Sequence, residues 1–250
     1  NIGNAKKLED LRLDATRLHS LKGIGAATSL ISFDGAFTKL RGTFPGEILD
    51  LTNLRHLSLG NNGLSGSLPH SLGSMQFLKS LSLRSNLLSG QLPAFENLHF
   101  LDYVDLSENF ITGALSKDIF GLLSDGSKPS LLLTNNQLTG IVPEEMGRFK
   151  QLSLHLSGNN ILGLPLSLCY NDMWNDGDVG DYWCDGILCK PGTYNARGRK
   201  TVSGSKCKPC KSAVYYGSNE CPDKNFSGAA RSFGYASILL LFPLATLLCQ

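Results

Sequence analysis

Residues 54–69 read Leu-Arg-His-Leu-Ser-Leu-Gly-Asn-Asn-Gly-Leu-Ser-Gly-Ser-Leu-Pro, and residues 78–93 read Leu-Lys-Ser-Leu-Ser-Leu-Arg-Ser-Asn-Leu-Leu-Ser-Gly-Gln-Leu-Pro. The two stretches share their leucines, one asparagine, one glycine and a final Leu-Pro pair at the same offsets. Self-similarity at a fixed period is the signature of a repeat architecture. The chain is therefore interpreted as an array of equivalent coils, and the asparagines Asn62 and Asn86 anchor the alignment.

The same motif continues on both sides of these two copies. Three later copies are anchored by asparagine and two weaker upstream copies by threonine, which gives the anchors Thr16, Thr38, Asn62, Asn86, Asn109, Asn136 and Asn159. These anchors are separated by 22, 24, 24, 23, 27 and 23 residues. The one long spacing indicates an insertion at residues 121–130, whose Ser-Asp-Gly-Ser-Lys-Pro run we expect to bulge off the array as a surface loop.

Each position of the motif has a physical reason. The Leu-x-Leu segment fits a short strand whose alternate side chains point inward, and stacked copies form a parallel sheet. The asparagine lies where the chain turns off that strand, so its side-chain amide can bond backbone groups of its own and the neighbouring coil. A threonine does this only in part, so we expect the coils of Thr16 and Thr38 to be looser. One coil cannot bury its leucines alone, whereas several coils share a core.

The motif Leu-x-x-Leu-x-Leu-x-x-Asn-x-Leu-x-Gly-x-Leu-Pro resembles the plant-type leucine-rich repeat of receptor-like proteins and receptor kinases. The resemblance covers residues 7–168 and implies an α/β-type repeat, a right-handed solenoid of about seven coils with a parallel concave sheet. It also implies a binding scaffold, because such arrays carry interchangeable recognition faces. The family usually has an N-terminal cysteine-pair cap, whereas this sequence has no cysteine before Cys169.

The residues between and beside the inward leucines are predicted to point out of the concave sheet. Their central row reads Arg12, Asp34, Ser58, Ser82, Asp105, Leu132 and His155. We interpret this mixed polar surface as a ligand-binding face with the candidate residues Arg12, Asp34, His56, Arg84, Tyr103, Asp105, Glu108, Thr134 and His155. The alternative is an ordinary solvated face, since polar residues are the default on an exposed surface. Our hypothesis is that Tyr103, Asp105 and His155 contribute to binding.

Six cysteines follow the array: Cys169, Cys184, Cys189, Cys207, Cys210 and Cys221. The run that begins with Cys189-Lys-Pro-Gly-Thr-Tyr and ends at Cys221 resembles the ephrin-receptor-like cysteine-rich repeat of extracellular proteins. With few leucines, residues 169–221 cannot build a large core, so cross-links are expected to hold this module together as a cap on the last coil. Six cysteines allow fifteen pairings, and the sequence does not choose among them. We favour the neighbour pairing Cys169–Cys184, Cys189–Cys207 and Cys210–Cys221.

Other interpretations of this module stay open. Four of the cysteines have nearly the spacing of a zinc site, although zinc would leave Cys169 and Cys221 without a role. The CxxC pair at residues 207–210 could be redox-active, but no thioredoxin-like strand and helix pattern surrounds it. The acidic run at residues 176–181 lacks the spacing of a known calcium loop and is more simply an acidic surface loop. No metal or cofactor is therefore predicted.

Residues 233–249 are almost entirely apolar and follow a short linker at residues 222–232. The stretch is at the lower limit of length for a membrane-spanning helix. The small residues Ser227 and Gly228, followed by a spacer and the apolar end, also fit a lipid-anchor (GPI) signal, whose tail is removed. Both forms of attachment stay open, and a buried hydrophobic helix of a soluble protein is the third possibility. Asn225 lies in a glycosylation sequon, which fits a secreted surface.

Composition and motifs narrow the function. A net charge of +2 argues against a nucleic-acid binder, which needs a dense basic face. The sequence has no phosphate loop, kinase motif or other catalytic constellation, and its histidines have no metal-ligand spacing. We therefore expect a non-enzymatic receptor or co-receptor module on the extracellular face of the cell membrane, with a protein or peptide ligand. A structural or adhesive spacer and the ectodomain of a receptor kinase are the alternatives.

Overall fold

The structure is a computed structural model that describes residues 7–93, 95, 97–204 and 206–222. Its strands, numbered in chain order, are β1 (Asp10–Arg12), β2 (Ser32–Asp34), β3 (Arg41–Gly42), β4 (His56–Ser58), β5 (Gly63–Gly66), β6 (Ser80–Ser82), β7 (Leu87–Gln91), β8 (Tyr103–Asp105), β9 (Phe110–Ala114), β10 (Ser130–Leu132), β11 (Gln137–Thr139), β12 (Ser153–His155), β13 (Thr193–Tyr194) and β14 (Lys208–Pro209). A short α-helix, α1, spans Asp178–Tyr182, and 3-10 helices span Ile24–Ala26, Gly46–Asp50, His70–Ser74, Glu144–Arg148, Leu166–Tyr170, Trp174–Gly177 and Trp183–Gly186.

Seven strands form one parallel sheet in chain order: β1, β2, β4, β6, β8, β10 and β12. Neighbouring strands pair at the same motif position, so Leu57 lies beside Phe33 on one side and Leu81 on the other. Because side chains alternate along a strand, the middle residue of each strand points into the array and its two neighbours point outward. The predicted stacked parallel sheet is confirmed.

The inward side chains of successive coils form one continuous core. Leu57 is 1% exposed, and Leu59 and Leu83 are fully buried. Each such leucine contributes roughly 1.5–3 kcal/mol, provided that a neighbouring coil covers it. Within the described residues, a coil packs on only one side of the first copy, and its leucines are only partly buried: Leu8, Leu11, Leu13 and Leu18.

A second parallel sheet, which the sequence analysis did not predict, has the strand order β11-β9-β7-β5-β3. Most of its strands contain a glycine with a left-handed φ, for example 77° at Gly66 and 76° at Gly90. Glycine adopts this conformation without the steric cost of a Cβ atom, which explains the glycine of the motif. Two residues before these glycines, Leu64 and Leu88 are fully buried. The second sheet therefore closes another side of the same core.

The proline that ends the motif leads into the 3-10 helices that return the chain to the first sheet. Four prolines immediately precede such a helix: Pro45, Pro69, Pro143 and Pro165. The carbonyl of Pro69 accepts a hydrogen bond from the amide of Leu72 at 3.0 Å. Proline suits this place because it has no amide hydrogen to satisfy and its φ is already fixed near the helical value.

The anchor asparagines form a buried ladder along the array. The side-chain nitrogen of Asn86 donates to the carbonyls of Leu59 at 3.0 Å and Leu83 at 2.9 Å, and its side-chain oxygen accepts from the amide of Leu64 at 3.0 Å. Leu59 and Leu64 belong to the preceding coil, so one side chain joins two coils. Equivalent bonds to the preceding coil recur at Asn109, Asn136 and Asn159. The predicted role of the asparagine is confirmed.

The two threonine anchors reproduce only part of this bonding. The hydroxyl oxygen of Thr38 lies 3.1 Å from the carbonyl of Gly35 and 2.7 Å from the side-chain oxygen of Asn62, and its single hydrogen can be donated to one of these two acceptors at a time. The hydroxyl of Thr16 donates to the carbonyl of Leu13, in its own coil, at 2.6 Å. A hydroxyl has one hydrogen to donate, whereas an amide has two. The difference in bonding is the one expected from the residue types.

The insertion at residues 121–130 is held more firmly than the sequence indicated. Residues 124–126 are exposed, as expected of a loop, but Leu123 is only 6% exposed and joins the core. The guanidinium of Arg148, in the next coil, donates to the carbonyls of Phe120 and Leu123 and pairs with Asp125 at 3.2 Å. The expectation of a segment that bulges freely off the array was therefore only partly right, because an arginine 25 residues away fastens its base.

The residues after the last repeat form a disulfide-linked cap. The pairs are Cys169–Cys184, Cys189–Cys207 and Cys210–Cys221, the neighbour pairing favoured from the sequence. Trp174 is fully buried against the last coil, and its indole nitrogen donates to the carbonyl of Phe149 at 2.7 Å. Val179, Ile187 and Leu188 extend the core of the array. The six sulfurs are used in cross-links, which leaves no thiolate for zinc.

The expected membrane-anchoring segment at residues 233–249 lies outside the described residues. So do Asn225, Ser227 and Gly228. In the part of the chain that the structure describes, no helix has both the length and the apolar character needed to cross a bilayer.

Replacing Asn109 by alanine is expected to lower the free energy of unfolding by about 2–4 kcal/mol. The buried amide of Leu88 loses its Asn109 acceptor, and the carbonyls of Leu83 and Leu106 each lose one of their two asparagine donors. Urea denaturation followed by circular dichroism measures this. The matched control is Asn53→Ala, since exposed Asn53 donates a single bond to the carbonyl of Thr28. Equal losses of unfolding free energy in the two variants would show that the asparagine ladder stabilises the fold no more than an exposed hydrogen bond does.

Candidate recognition surface on the concave sheet

The structure places the nine candidate residues on the outward face of the first sheet, in three rows. The first strand position supplies His56 and Tyr103, the last strand position Arg12, Asp34, Asp105 and His155, and the following turn Arg84, Glu108 and Thr134. Arg12, His56, Arg84 and Glu108 are exposed, whereas Asp105 is 6% exposed. Contact of these residues with a ligand stays a prediction.

The middle of this face is a floor of small side chains. Ser58 and Ser82 lie side by side in the central row on β4 and β6. Ser80 lies beside them in the first row, and Gly60 follows in the turn after β4. Because these side chains are short, an extended segment can approach the sheet closely along this path. The bulkier Tyr103, on β8, borders the floor.

Arg84 and Glu108 form an ion pair beside the floor, with 2.5 Å between Nη2 and Oε1. The hydroxyl of Ser85 donates to the other carboxylate oxygen of Glu108 at 2.6 Å. The Ser85 hydrogen bond is the main cause that lowers the pKa of Glu108; desolvation opposes it, and Arg84 adds to the lowering. Both side chains are about half exposed, so the pair is worth little for stability. It does hold a guanidinium in a fixed place on the surface.

Tyr103 and Asp105 lie on the same face of β8, two residues apart. The Asp105 carboxylate accepts a hydrogen bond from the amide of Ser107 at 3.0 Å, which fixes its orientation. Burial, followed by the charge of Asp105, raises the pKa of the Tyr103 hydroxyl, while Arg84 lowers it. Tyr103 is therefore neutral at physiological pH and can both donate and accept a hydrogen bond.

His155, at the last strand, is bound by the cysteine module. The guanidinium of Arg199 lies 3.2 Å from the ring nitrogen Nε2, and Arg199 pairs with Asp178 at 2.6 Å. Since arginine has only donors, Nε2 accepts and the ring is neutral. Burial first, and the charge of Arg199 second, lower the pKa of His155 to about 4, against opposing carboxylates that include Asp105. His155 therefore joins the array to the module, and it is not a freely exposed ligand-binding residue.

The module also covers the edge of the first sheet. The side-chain oxygen of Asn175 accepts a hydrogen bond from the backbone amide of Leu154 at 2.7 Å. The backbone amide of Asn175 donates to the carbonyl of Leu152 at 2.9 Å. A side chain and a backbone group thus take the place that an eighth strand would occupy. The Asn219 amide reaches Asn135 at 2.9 Å, in the turn of the sixth coil. The open part of the concave face therefore ends before the last coil.

Sequence reasoning missed the residues that close this end of the face. Arg199 is 44 residues from His155, and no local pattern links the two. Asp178 was assigned to an acidic surface loop, whereas it is buried with Arg199. The pair between Arg84 and Glu108 was detectable in principle, because the two residues are separated by 24 positions, about one repeat. Aligning the turns as well as the strands would have brought them together.

No group of histidine, cysteine, aspartate or glutamate side chains that could hold a metal ion occurs among the described residues. Asp178, one of the three aspartates considered as calcium ligands, is already paired with Arg199. The chemistry that the face offers is hydrogen bonding, charge and aromatic contact, which suits binding of a polar ligand.

A family model described as Leucine Rich Repeat matches residues 53–75. A comparison with curated protein sequences finds no match. Among solved structures, the leucine-rich-repeat ectodomain of the plant membrane receptor kinase GASSHO1/SCHENGEN3 from Arabidopsis thaliana, in complex with CASPARIAN STRIP INTEGRITY FACTOR 2, is 32% identical with a TM-score of 0.61. That match covers 67% of this chain and 20% of the other.

Two further structures are similar. The Arabidopsis receptor kinase HAESA, in complex with the peptide hormone IDA and the co-receptor SERK1, is 32% identical with a TM-score of 0.63, over 69% of this chain and 29% of that one. A leucine-rich-repeat protein of Leptospira interrogans is 34% identical with a TM-score of 0.57. That match covers 68% of this chain and 42% of the other. This chain spans less than half the length of each of the three. The chain contains a leucine-rich repeat, and its fold is similar to that of plant receptor-kinase ectodomains, a class of non-enzymatic binding domains.

The lowered pKa of His155 makes stability depend on pH. Between about pH 6.5 and pH 4 the unfolded chain binds a proton at this ring that the folded chain does not, so the free energy of unfolding falls as the pH falls. From pH 7 to pH 4.5, wild type should lose roughly 2 kcal/mol more than His155→Gln. Urea denaturation at both pH values measures the difference.

The control for this experiment is His70→Gln, since His70 is exposed. Its pH dependence should match that of wild type, because this substitution leaves His155 and its contact with Arg199 unchanged. A His155→Gln variant that loses as much stability on acidification as wild type would contradict the buried, neutral assignment of the ring.

Proposed function

We propose that this chain is the extracytoplasmic recognition module of a leucine-rich-repeat receptor or co-receptor, and that it binds a peptide or protein segment on the concave face. The observation that carries the proposal is the outward face of the seven-stranded sheet, with its Ser58–Ser82 floor bordered by charged and aromatic side chains. Extended concave surfaces are the binding surfaces that solenoids use. The candidate ligand contacts within the open part of this face are His56, Arg84, Tyr103, Asp105 and Glu108.

The similar plant ectodomains support this proposal. The structure of HAESA is a complex with the peptide hormone IDA and the co-receptor SERK1, and that of GASSHO1/SCHENGEN3 is a complex with CASPARIAN STRIP INTEGRITY FACTOR 2. This chain shares their fold over about two thirds of its length. We transfer from these relatives the class of ligand only, because residue identity on a repeat face changes independently of the fold.

The cysteine module supports an extracytoplasmic location. Disulfides form and persist in oxidising compartments and are rare in the cytosol. The bond Cys169–Cys184 ties the module to the final coil, so the cap and the array are cross-linked. We propose that the module, from Cys189 to Cys221, is of the ephrin-receptor-like type on the strength of its cysteine spacing. Its role is to terminate the array, because an open last coil would expose its leucines.

Membrane attachment through residues 233–249 is the second part of the proposal. The apolar composition of this segment, next to Ser227 and Gly228, supports either a lipid-anchor signal or a single membrane span. Glycosylation at Asn225 fits the same location, because the sequon is used only in the secretory pathway. The apolar segment, the small residues before it and the glycosylation sequon together support a recognition face outside the cell.

Blocking the floor tests the proposed binding face. The full chain, displayed on cells, is exposed to a random nonapeptide library, and the retained peptides are sequenced. Ser82→Arg is expected to abolish retention, because its long side chain fills the floor. Ser89→Arg, on β7 of the second sheet, is the matched control and should retain the same peptides as wild type. Retention that survives Ser82→Arg would place binding elsewhere.

The anchor is tested by expressing the chain behind a secretion signal in eukaryotic cells. The full chain is expected in the membrane fraction, and a chain that ends at residue 232 in the medium, because the apolar segment is then missing. Release of the full chain by phosphatidylinositol-specific phospholipase C would identify a lipid anchor, and resistance a membrane span. Secretion of the full chain into the medium without any enzyme treatment would contradict membrane attachment.

A further inference from the structure

We infer that the concave face selects a cationic ligand group, an arginine or lysine side chain, and that the carboxylate of Asp105 receives it. The inference rests on the proposed function and specifies the chemistry of its ligand.

The outward face is acidic, although the whole chain carries a net charge of +2. Its strands and the turns that follow them contribute two arginines, Arg12 and Arg84, against five acids: Asp10, Asp14, Asp34, Asp105 and Glu108. The charged residues just before the strands are two acids and two bases, so they do not change the excess of negative charge: Glu9, Arg55, Lys79 and Asp102. A negative surface attracts and orients a cationic partner and repels an anionic one.

Asp105 is the most buried acid of this face, at 6% exposure. Its neighbours in register on the adjoining strands are Ser82 and Leu132, and neither carries a charge. The hydrogen bond from the Ser107 amide holds the carboxylate in one orientation but leaves its charge uncompensated. A carboxylate withdrawn from water in this way gains more from a cation than an exposed one does.

The arginines near Asp105 already have partners. Arg84 pairs with Glu108, and Arg199 pairs with Asp178. Arg12 lies on β1, four strands away in the sheet, which corresponds to about 19 Å. None of the described residues forms an ion pair with the Asp105 carboxylate, and we assign the compensating cation to the ligand.

The surroundings of Asp105 fit a long cationic side chain. Tyr103, on the same face of β8, offers an aromatic surface for the alkyl stem, and the serine floor leads an extended backbone past it. Aromatic residues beside a desolvated charge are typical of the few contacts that dominate binding energy. Arg84, held by Glu108, disfavours a second cation immediately beside the first, which limits the preference to one position.

The experiment uses three random nonapeptide libraries whose central residue is fixed as arginine, as citrulline or as glutamate. Citrulline has nearly the shape of arginine without its charge. The full chain, displayed on cells, is expected to retain the arginine library at least about tenfold better than the citrulline library, a difference of about 1.4 kcal/mol. Asp105→Asn should reduce this preference to about twofold or less, because an amide keeps the bond to Ser107 and removes the charge.

Asp118→Asn is the matched control, since exposed Asp118 lies in a turn outside the concave sheet; its preference should equal that of wild type. Equal thermal unfolding temperatures would show that neither variant disturbs the fold. A wild-type chain that retains all three libraries equally, or a preference that survives Asp105→Asn, overturns the inference and leaves the proposed function in place. Failure to retain any peptide overturns both.

Discussion

Every coil of this array has to turn its chain sharply off the concave sheet, and that turn leaves backbone carbonyls and amides inside the protein where water cannot reach them. The ladder of asparagines resolves this problem. The side chain of Asn86, for example, bonds two carbonyls and one amide from its own and the preceding coil. Because the amide group is both donor and acceptor, one residue per coil satisfies groups that would otherwise cost about 1–3 kcal/mol each. The spacing and parallel register of the coils anchored by asparagine depend on this bonding.

A scaffold fixed in this way leaves its outward positions free to vary. The inward leucines and the anchors repeat, whereas the outward residues change from the serines of β4 and β6 to Tyr103 and Asp105 on β8. The face is consequently uneven, with a smooth path in the third and fourth coils and a charged, aromatic cluster in the fifth. This division of labour is why the fold identifies a class of binding domain while only individual side chains carry specificity.

The cysteine module solves the problem of the last strand. A sheet edge exposes unpaired backbone groups and a layer of leucines, both of which favour unwanted association. Asn175 forms hydrogen bonds with the edge strand β12, and Trp174 covers the core of the last coil. Arg199 contacts His155 on the concave face. The same contacts shorten the recognition face, because the module occupies the space over its final strand. Stability and the length of the binding surface are therefore set by the same few residues.

The sequence alone determined the repeat, the parallel sheet and the inward or outward direction of each strand residue, because these follow from periodicities of two residues and of about 24. It also determined the role of the asparagines, since the chemistry of an amide does not depend on distant parts of the chain. The tertiary structure decided the second sheet, the fastening of the insertion by Arg148, the burial of Asp105 and the attachment of Arg199 to His155. Each of these depends on residues brought together from different coils or from the module, and a local pattern carries no record of such contacts.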